Sequence, residues 1–265
     1  MDQRTGKDTL RQVLNLAGAI GQVTIGFFAN VGRVSDEFGN PIVPAGYAFS
    51  IWGVIFALLG IYAIYQVLPD QATNYLFRQI GWCTAAAMIG NTLWTVLFGN
   101  RVFWLAQIVI FLIALSAILA FVTWADVLAV RPATGFERWI VGPAVGLLAG
   151  WVTAASFVGL AATLISYGWN NDGTGAVLGG SGLLLFAGGI AAWALARGSA
   201  GPATGWVAYG LAVIWALIAV IVRQSDVSLL VAGVSAVIAV IVVVLLLMLA
   251  RESRRGTPAP SALGA

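Results

Sequence analysis

Eight apolar stretches, each close to the length of a membrane helix, follow one another along this chain and restrict it to a helical bundle in a bilayer. They run approximately over residues 12–31, 47–68, 80–98, 102–122, 139–167, 177–196, 206–222 and 227–250. A helix needs about 20 apolar residues to cross the hydrocarbon core. Charge points the same way: 9% of the residues are charged and 60% hydrophobic, against about 25% charged in a soluble domain. So few charges could not cover a water-facing surface. The breaks between stretches use turn chemistry, as in Gly39-Asn40-Pro41, Pro69-Asp70, Gly99-Asn100, Arg131-Pro132, Asn170-Asn171-Asp172-Gly173 and Gly201-Pro202. The expected fold class is therefore an all-α membrane protein with about eight transmembrane helices.

The basic residues orient the bundle. Eight crossings place Arg4, Lys7, Arg11, Arg78, Arg131, Arg138, Arg197, Arg251, Arg254 and Arg255 on one side, and Arg33, Arg101 and Arg223 on the other. Ten against three is a strong positive-inside signal, so both termini are expected in the cytoplasm of a bacterial cell, at its inner membrane. The cluster Arg4, Lys7 and Arg11 before an apolar run resembles the start of a signal peptide. The run is too long for a signal core and holds Asn15, Gln22 and Asn30, so it reads as a retained first helix. The stretch 251–265, rich in Pro, Ser, Ala and Gly, reads as a disordered cytoplasmic tail.

Composition also excludes functions. Histidine is absent, which removes the commonest metal ligand and general base. Cys83 is the single cysteine, so no internal disulfide or cysteine cluster can form; it reads as a packed thiol. No acidic or basic residue stands near the middle of any stretch, where proton-coupled carriers place them. A net charge of +3 is too small to imply nucleic acid. No nucleophile–base pair is evident, so an enzyme is not expected and no metal or catalytic residue is assigned.

What the stretches do hold is indole, glycine and a few amides. Trp139, Trp169 and Trp206 stand at segment ends, where interface anchors belong. Asn91 and Trp94, three apart, share a helix face, and an amide in hydrocarbon needs protein, water or ligand as its partner. Trp151 follows Gly142, Gly146 and Gly150, a ladder at intervals of four that admits a close helix neighbour. Helix packing alone explains these features as well as a flat pocket walled by Trp52, Trp94 and Trp151 with Asn91 as its polar handle. Such a pocket suits a planar aromatic ligand.

Three stretches resemble the TspO/MBR family of tryptophan-rich sensory proteins. The first is Pro44-Ala45-Gly46-Tyr47-Ala48-Phe49-Ser50-Ile51-Trp52-Gly53, followed by Phe56 and Gly60. The second is Asn91-Thr92-Leu93-Trp94 with Phe98-Gly99, and the third is Gly150-Trp151-Val152-Thr153-Ala154-Ala155-Ser156. Order and spacing are similar to the family's five-helix core over residues 12–168, with three additional helices over 177–250. The resemblance implies a ligand site drawn from Pro44, Tyr47, Phe49, Trp52, Phe56, Asn91, Trp94, Trp151 and Ala154. It implies a receptor, sensor or translocator for a tetrapyrrole or similar hydrophobic molecule, with a carotenoid or lipid as other candidates and no required cofactor. The first loop departs from the family by lacking tryptophan over Arg33–Asn40. The alternatives are a structural subunit of a larger membrane complex, with 227–250 as a docking surface, and a small-molecule carrier. Besides membrane lipid, the expected partners are the ligand and either a second copy or other chains of a complex.

Overall fold

The computed structural model describes residues 3–28, 31–168 and 173–255. Among these residues the chain forms nine α-helices and no strand. They are α1 (Gly6–Phe28), α2 (Val31–Glu37), α3 (Ile51–Gln66), α4 (Tyr75–Gly99), α5 (Phe103–Ala129), α6 (Gly142–Ser166), α7 (Thr174–Gly198), α8 (Ala203–Gln224) and α9 (Leu229–Arg255). All but the short α2 are long helices of the bundle. α9 continues to Arg255, five residues past the expected start of the tail; residues 256–265 lie outside the described residues.

Among the described residues, seven helical stretches are long and apolar enough to cross a membrane by length and composition. The first helix is not among them because of the polar residues it carries. Arg11, Gln12, Asn15 and Gln22 are all at most 3% exposed, whereas Leu10, Val13, Ile20 and Val23 are 39–56% exposed. This is a soluble helix turned inside out: the polar stripe faces protein and the apolar stripe faces lipid. The stripe lowers the mean hydropathy without changing the path. α1 runs parallel to α4, from the Asp8–Arg78 pair at 2.8 Å, past Asn15 Nδ2 donating to the Gly81 carbonyl at 2.7 Å, to Gly21 against Thr92. It reaches the same depth as its neighbour, so the bundle has eight long helices.

Local signals set the helix ends. The Asn74 side chain accepts from the Phe77 N–H and caps α4. Gly168, just after α6, and Gly173, just before α7, have φ near +90°, a conformation glycine adopts without cost. Pro143, in the first turn of α6, lacks an N–H and crowds the carbonyl four residues back. The chain accommodates it with one wide π turn over Glu137–Val141.

The glycine ladder docks α8 on α6. A Cβ at Gly146 would stand 2.3 Å from the Gly205 carbonyl oxygen, and one at Gly150 would stand 2.4 Å from that of Tyr209. Gly142 and Gly205 leave room for the Trp124 indole, whose Nε1–H donates to the Glu137 carbonyl at 3.1 Å. Without Cβ atoms the two backbones meet directly, and dispersion replaces the hydrophobic drive that lipid cannot supply. Trp206, expected at an interface, is instead 3% exposed inside the core, because it opens the helix that this ladder draws in. Trp139 is 65% exposed as an anchor should be; Trp169 lies outside the described residues. Cys83 is half-buried and packs against the core.

Charges collect at the two ends. Asp8–Arg78, Arg131–Glu137 and Arg197–Asp126 pair at the end holding the start of α1, and Arg101–Glu37 pairs at the other. The end with the Arg101–Glu37 pair also holds the cavity described next.

Candidate functional site: an indole-walled cavity at one end of the bundle

α3 and α4 touch at one end and part at the other. At the closed end Tyr62 and Tyr65 meet Phe77 edge-on, with ring centroids 5.5 and 6.1 Å apart. At the opposite end a cavity of about 720 Å³ lies between α1, α3 and α4, covered by α2 and the segment before α3. Gln22, Val23 and Gly26 come from α1; Trp52, Gly53, Phe56 and Ala57 from α3; and Asn91, Trp94 and Thr95 from α4. Val31, Ser35, Val43, Pro44, Gly46 and Phe49 close the mouth. None of these lining side chains is ionisable. The volume falls in the range of small-molecule sites, about 300–1,000 Å³.

Helical spacing explains the lining. The stretch Gly46–Ser50 is a 3₁₀ turn, which repeats every three residues, so Gly46, Phe49 and Trp52 fall on one face. Tyr47 falls off that face. It is 44% exposed, and its ring packs edge-on against Trp215 of α8 at 5.4 Å. On α4, Asn91, Trp94 and Thr95 share a face by spacings of three and four, and Trp94 stacks on Phe98 at 5.1 Å. Trp52 lies against Phe56 at 5.1 Å. Of the expected site residues, Pro44, Phe49, Trp52, Phe56, Asn91 and Trp94 thus border this one cavity.

Trp151 and Ala154 stand one layer back. They line a narrow neighbouring space of about 70 Å³ between α6, α7 and α8. Both spaces are bordered by Val31, Ser35, Pro44, Phe49 and Trp94, so Phe49 and Trp94 form the wall between them. Trp151 buttresses that wall edge-on, 6.1 Å from Trp52 and 5.9 Å from Phe49. Trp94 and Trp151 therefore face the same region of the bundle interior from two sides.

Polar groups are few and distinct in role. Asn91 is 4% exposed and its carboxamide makes no hydrogen bond with the described residues. Gln22, 1% exposed, has no partner for either amide atom among the described residues. A buried amide without a partner is costly, and the contrast with Asn15 is informative. Asn15 donates to the Arg11 and Gly81 carbonyls and accepts from Thr84 Oγ1 at 2.6 Å, so it is satisfied by packing alone. Gln22, Thr95, Gly53 and the α2 residues escaped the sequence reading. The amide rule that singled out Asn91 applies equally to Gln22 and would have found it.

The mouth is held by α8. The Ala45 N–H donates to the Ala219 carbonyl at 3.0 Å, and Trp215 Nε1–H donates to the Ala48 carbonyl at 2.9 Å. α8 thereby pins the segment that carries Pro44, Gly46 and Phe49.

No curated protein and no solved structure matches the chain. A family model described as TSPO-like protein matches residues 12–249, a span that includes the last three helices. With that match over most of its length, and with its indole-walled cavity set in a bundle of apolar helices, the chain belongs to the TSPO-like protein family.

Proposed function

We propose that this integral membrane protein binds a planar hydrophobic ligand of the tetrapyrrole class in the cavity between α1, α3 and α4, as a receptor or sensor rather than a catalyst. The observation that carries the reading is the lining itself: Trp52, Phe56, Phe49 and Trp94 supply aromatic surface, and Asn91 supplies an amide without an internal partner. Flat rings match indole walls, and each ring–ring contact adds about 0.5–1.5 kcal/mol beyond burial. The absence of ionisable groups among the lining residues favours binding over proton-transfer chemistry.

Tryptophan quenching by a porphyrin in detergent tests it. Trp94→Phe is expected to weaken binding by roughly threefold to tenfold, while Trp139→Phe, on the lipid-facing surface, leaves it unchanged. Equal losses from the two variants would remove the cavity from consideration.

The cavity faces outward in this proposal and the termini face the cytoplasm. Arg78, Arg131, Arg138 and Arg197 lie at the end opposite the cavity, and the positive-inside rule favours the cytoplasm for that end. In a Cys83→Ala background, a cysteine replacing Asn100 is expected to react with an impermeant maleimide in sealed cells, and one replacing Gly135 is not. The reverse pattern would invert the orientation.

A further inference from the structure

At the bundle end opposite the cavity, a buried cation has no anion of its own among the described residues. Arg11 is 1% exposed. Its Nη1 donates to Gln66 Oε1 at 3.1 Å and its Nη2 to the Ala72 carbonyl at 2.8 Å, both neutral acceptors. Its Nε has no partner. Among the described residues its one carboxylate neighbour is Asp8, 3.9 Å away. Both Asp8 oxygens already accept shorter bonds, Oδ1 from Arg78 Nε at 2.8 Å, and Oδ2 from Arg78 Nη2 at 2.8 Å and Thr5 Oγ1 at 2.8 Å. The position of Arg11 is built in: a Cβ at Gly81 would stand 2.6 Å from Arg11 Cδ, so the glycine makes the slot in which the side chain lies. A buried charge is ordinarily balanced by an opposite one.

The space beside it supplies the place for that anion. A cavity of about 260 Å³ is bordered by Thr5, Lys7, Asp8, Arg11, Arg78 and Trp82. Three of these are cations and one is an acid. At about 30 Å³ per water the volume equals some eight or nine waters, room for a phosphate and its glycerol. Trp82, 43% exposed and one turn along α4 from Arg78, marks headgroup depth, where indoles settle.

We propose that this pocket binds the phosphate of an anionic phospholipid headgroup, with Lys7 as its cationic contact, the buried Arg11 charge beside it drawing the anion in, and the acyl chains running along the outer face of α1 and α4. Exposed Leu10, Val13 and Trp82 offer that path. The site is separate from the indole-walled cavity and does not depend on what that cavity holds.

The full chain in a neutral detergent, titrated with short-chain phosphatidylglycerol or phosphatidylcholine and read by native mass spectrometry, tests the assignment. Phosphatidylglycerol is expected to be retained at least fivefold more tightly. Lys7→Gln, an exposed position whose loss leaves the buried bonds intact, is expected to weaken it roughly fivefold, the effect of one basic residue at a membrane surface. Arg138→Gln removes the same charge from the same end of the bundle but not from the pocket, and leaves retention unchanged. Equal retention of the two lipids, or equal loss from the two variants, would overturn the proposal. Displacement of the lipid by low-millimolar inorganic phosphate would also overturn it, by making the site one for free phosphate.

Discussion

Gly150→Leu is expected to loosen the bundle. A Cβ there meets the Tyr209 carbonyl oxygen at 2.4 Å and Ala212 Cβ at 3.0 Å. The nearest atom belongs to backbone, so no rotamer change relieves the contact and α8 must move away as a body. Overpacking of this kind costs about 3 kcal/mol, or roughly 5–10 °C in midpoint for a chain of this size. The displacement carries further, because α8 also holds the Thr153–Tyr209 hydroxyl pair and the two hydrogen bonds that pin the mouth of the cavity. Ligand binding should therefore fall together with the melting temperature in detergent. Gly182→Leu is the control: nothing lies within 4 Å of a Cβ at Gly182, and its midpoint should stay put. Identical midpoints for Gly150→Leu and the parent would show that α6 and α8 do not depend on backbone contact.

Gly53→Leu should separate binding from stability. Gly53 lines the large cavity, and a Cβ there meets nothing within 4 Å. The leucine projects into open space between Trp52 and Phe56 and occupies the volume a ligand needs. Removing a helical glycine favours α3 by up to about 1 kcal/mol, so the midpoint is expected to hold or rise. Binding of a porphyrin should weaken by at least about tenfold, the equivalent of 1.4 kcal/mol. Gly60→Leu lies on the same helix, also faces open space and does not border the cavity; it should bind as the parent does. Undiminished binding by Gly53→Leu would place the ligand elsewhere.

Much of the site was legible in short-range pattern. Asn91 and Trp94 share a face because a helix repeats every 3.6 residues, and that arithmetic needs no knowledge of the neighbours. Tyr47 entered the expected site through the resemblance and not through this arithmetic, and the structure sets it off the cavity face. Its segment is a 3₁₀ turn, and a period of three rotates residue 47 away from the face that Gly46, Phe49 and Trp52 share. The glycine ladder announced a close neighbour for α6 but not which helix it would be. The partner is α8, about 60 residues along the chain, and that same helix holds the mouth of the site. Trp151 shows the limit from the other direction. Its place beside a tight contact was legible, whereas its position behind Phe49 and Trp94 depends on how three helices cross.

The sequence by itself determined the solvent, the helical class and the distribution of charge between the ends, because each follows from composition and local spacing. A stretch of about 20 apolar residues has one stable form in hydrocarbon, whatever surrounds it. Tertiary structure decided which polar residues were satisfied and which were left open. Asn15, Gln22 and Arg11 look alike in the sequence, as polar groups on one apolar helix. Packing gave Asn15 three partners, left both amide atoms of Gln22 without one at the cavity, and set the Arg11 guanidinium among neutral carbonyls beside an open pocket. Apart from the Asn15–Arg11 bond within α1, the hydrogen bonds that decide these outcomes join residues 55 to 69 positions apart. They exist only once α1, α3 and α4 have come together, and no local pattern encodes them.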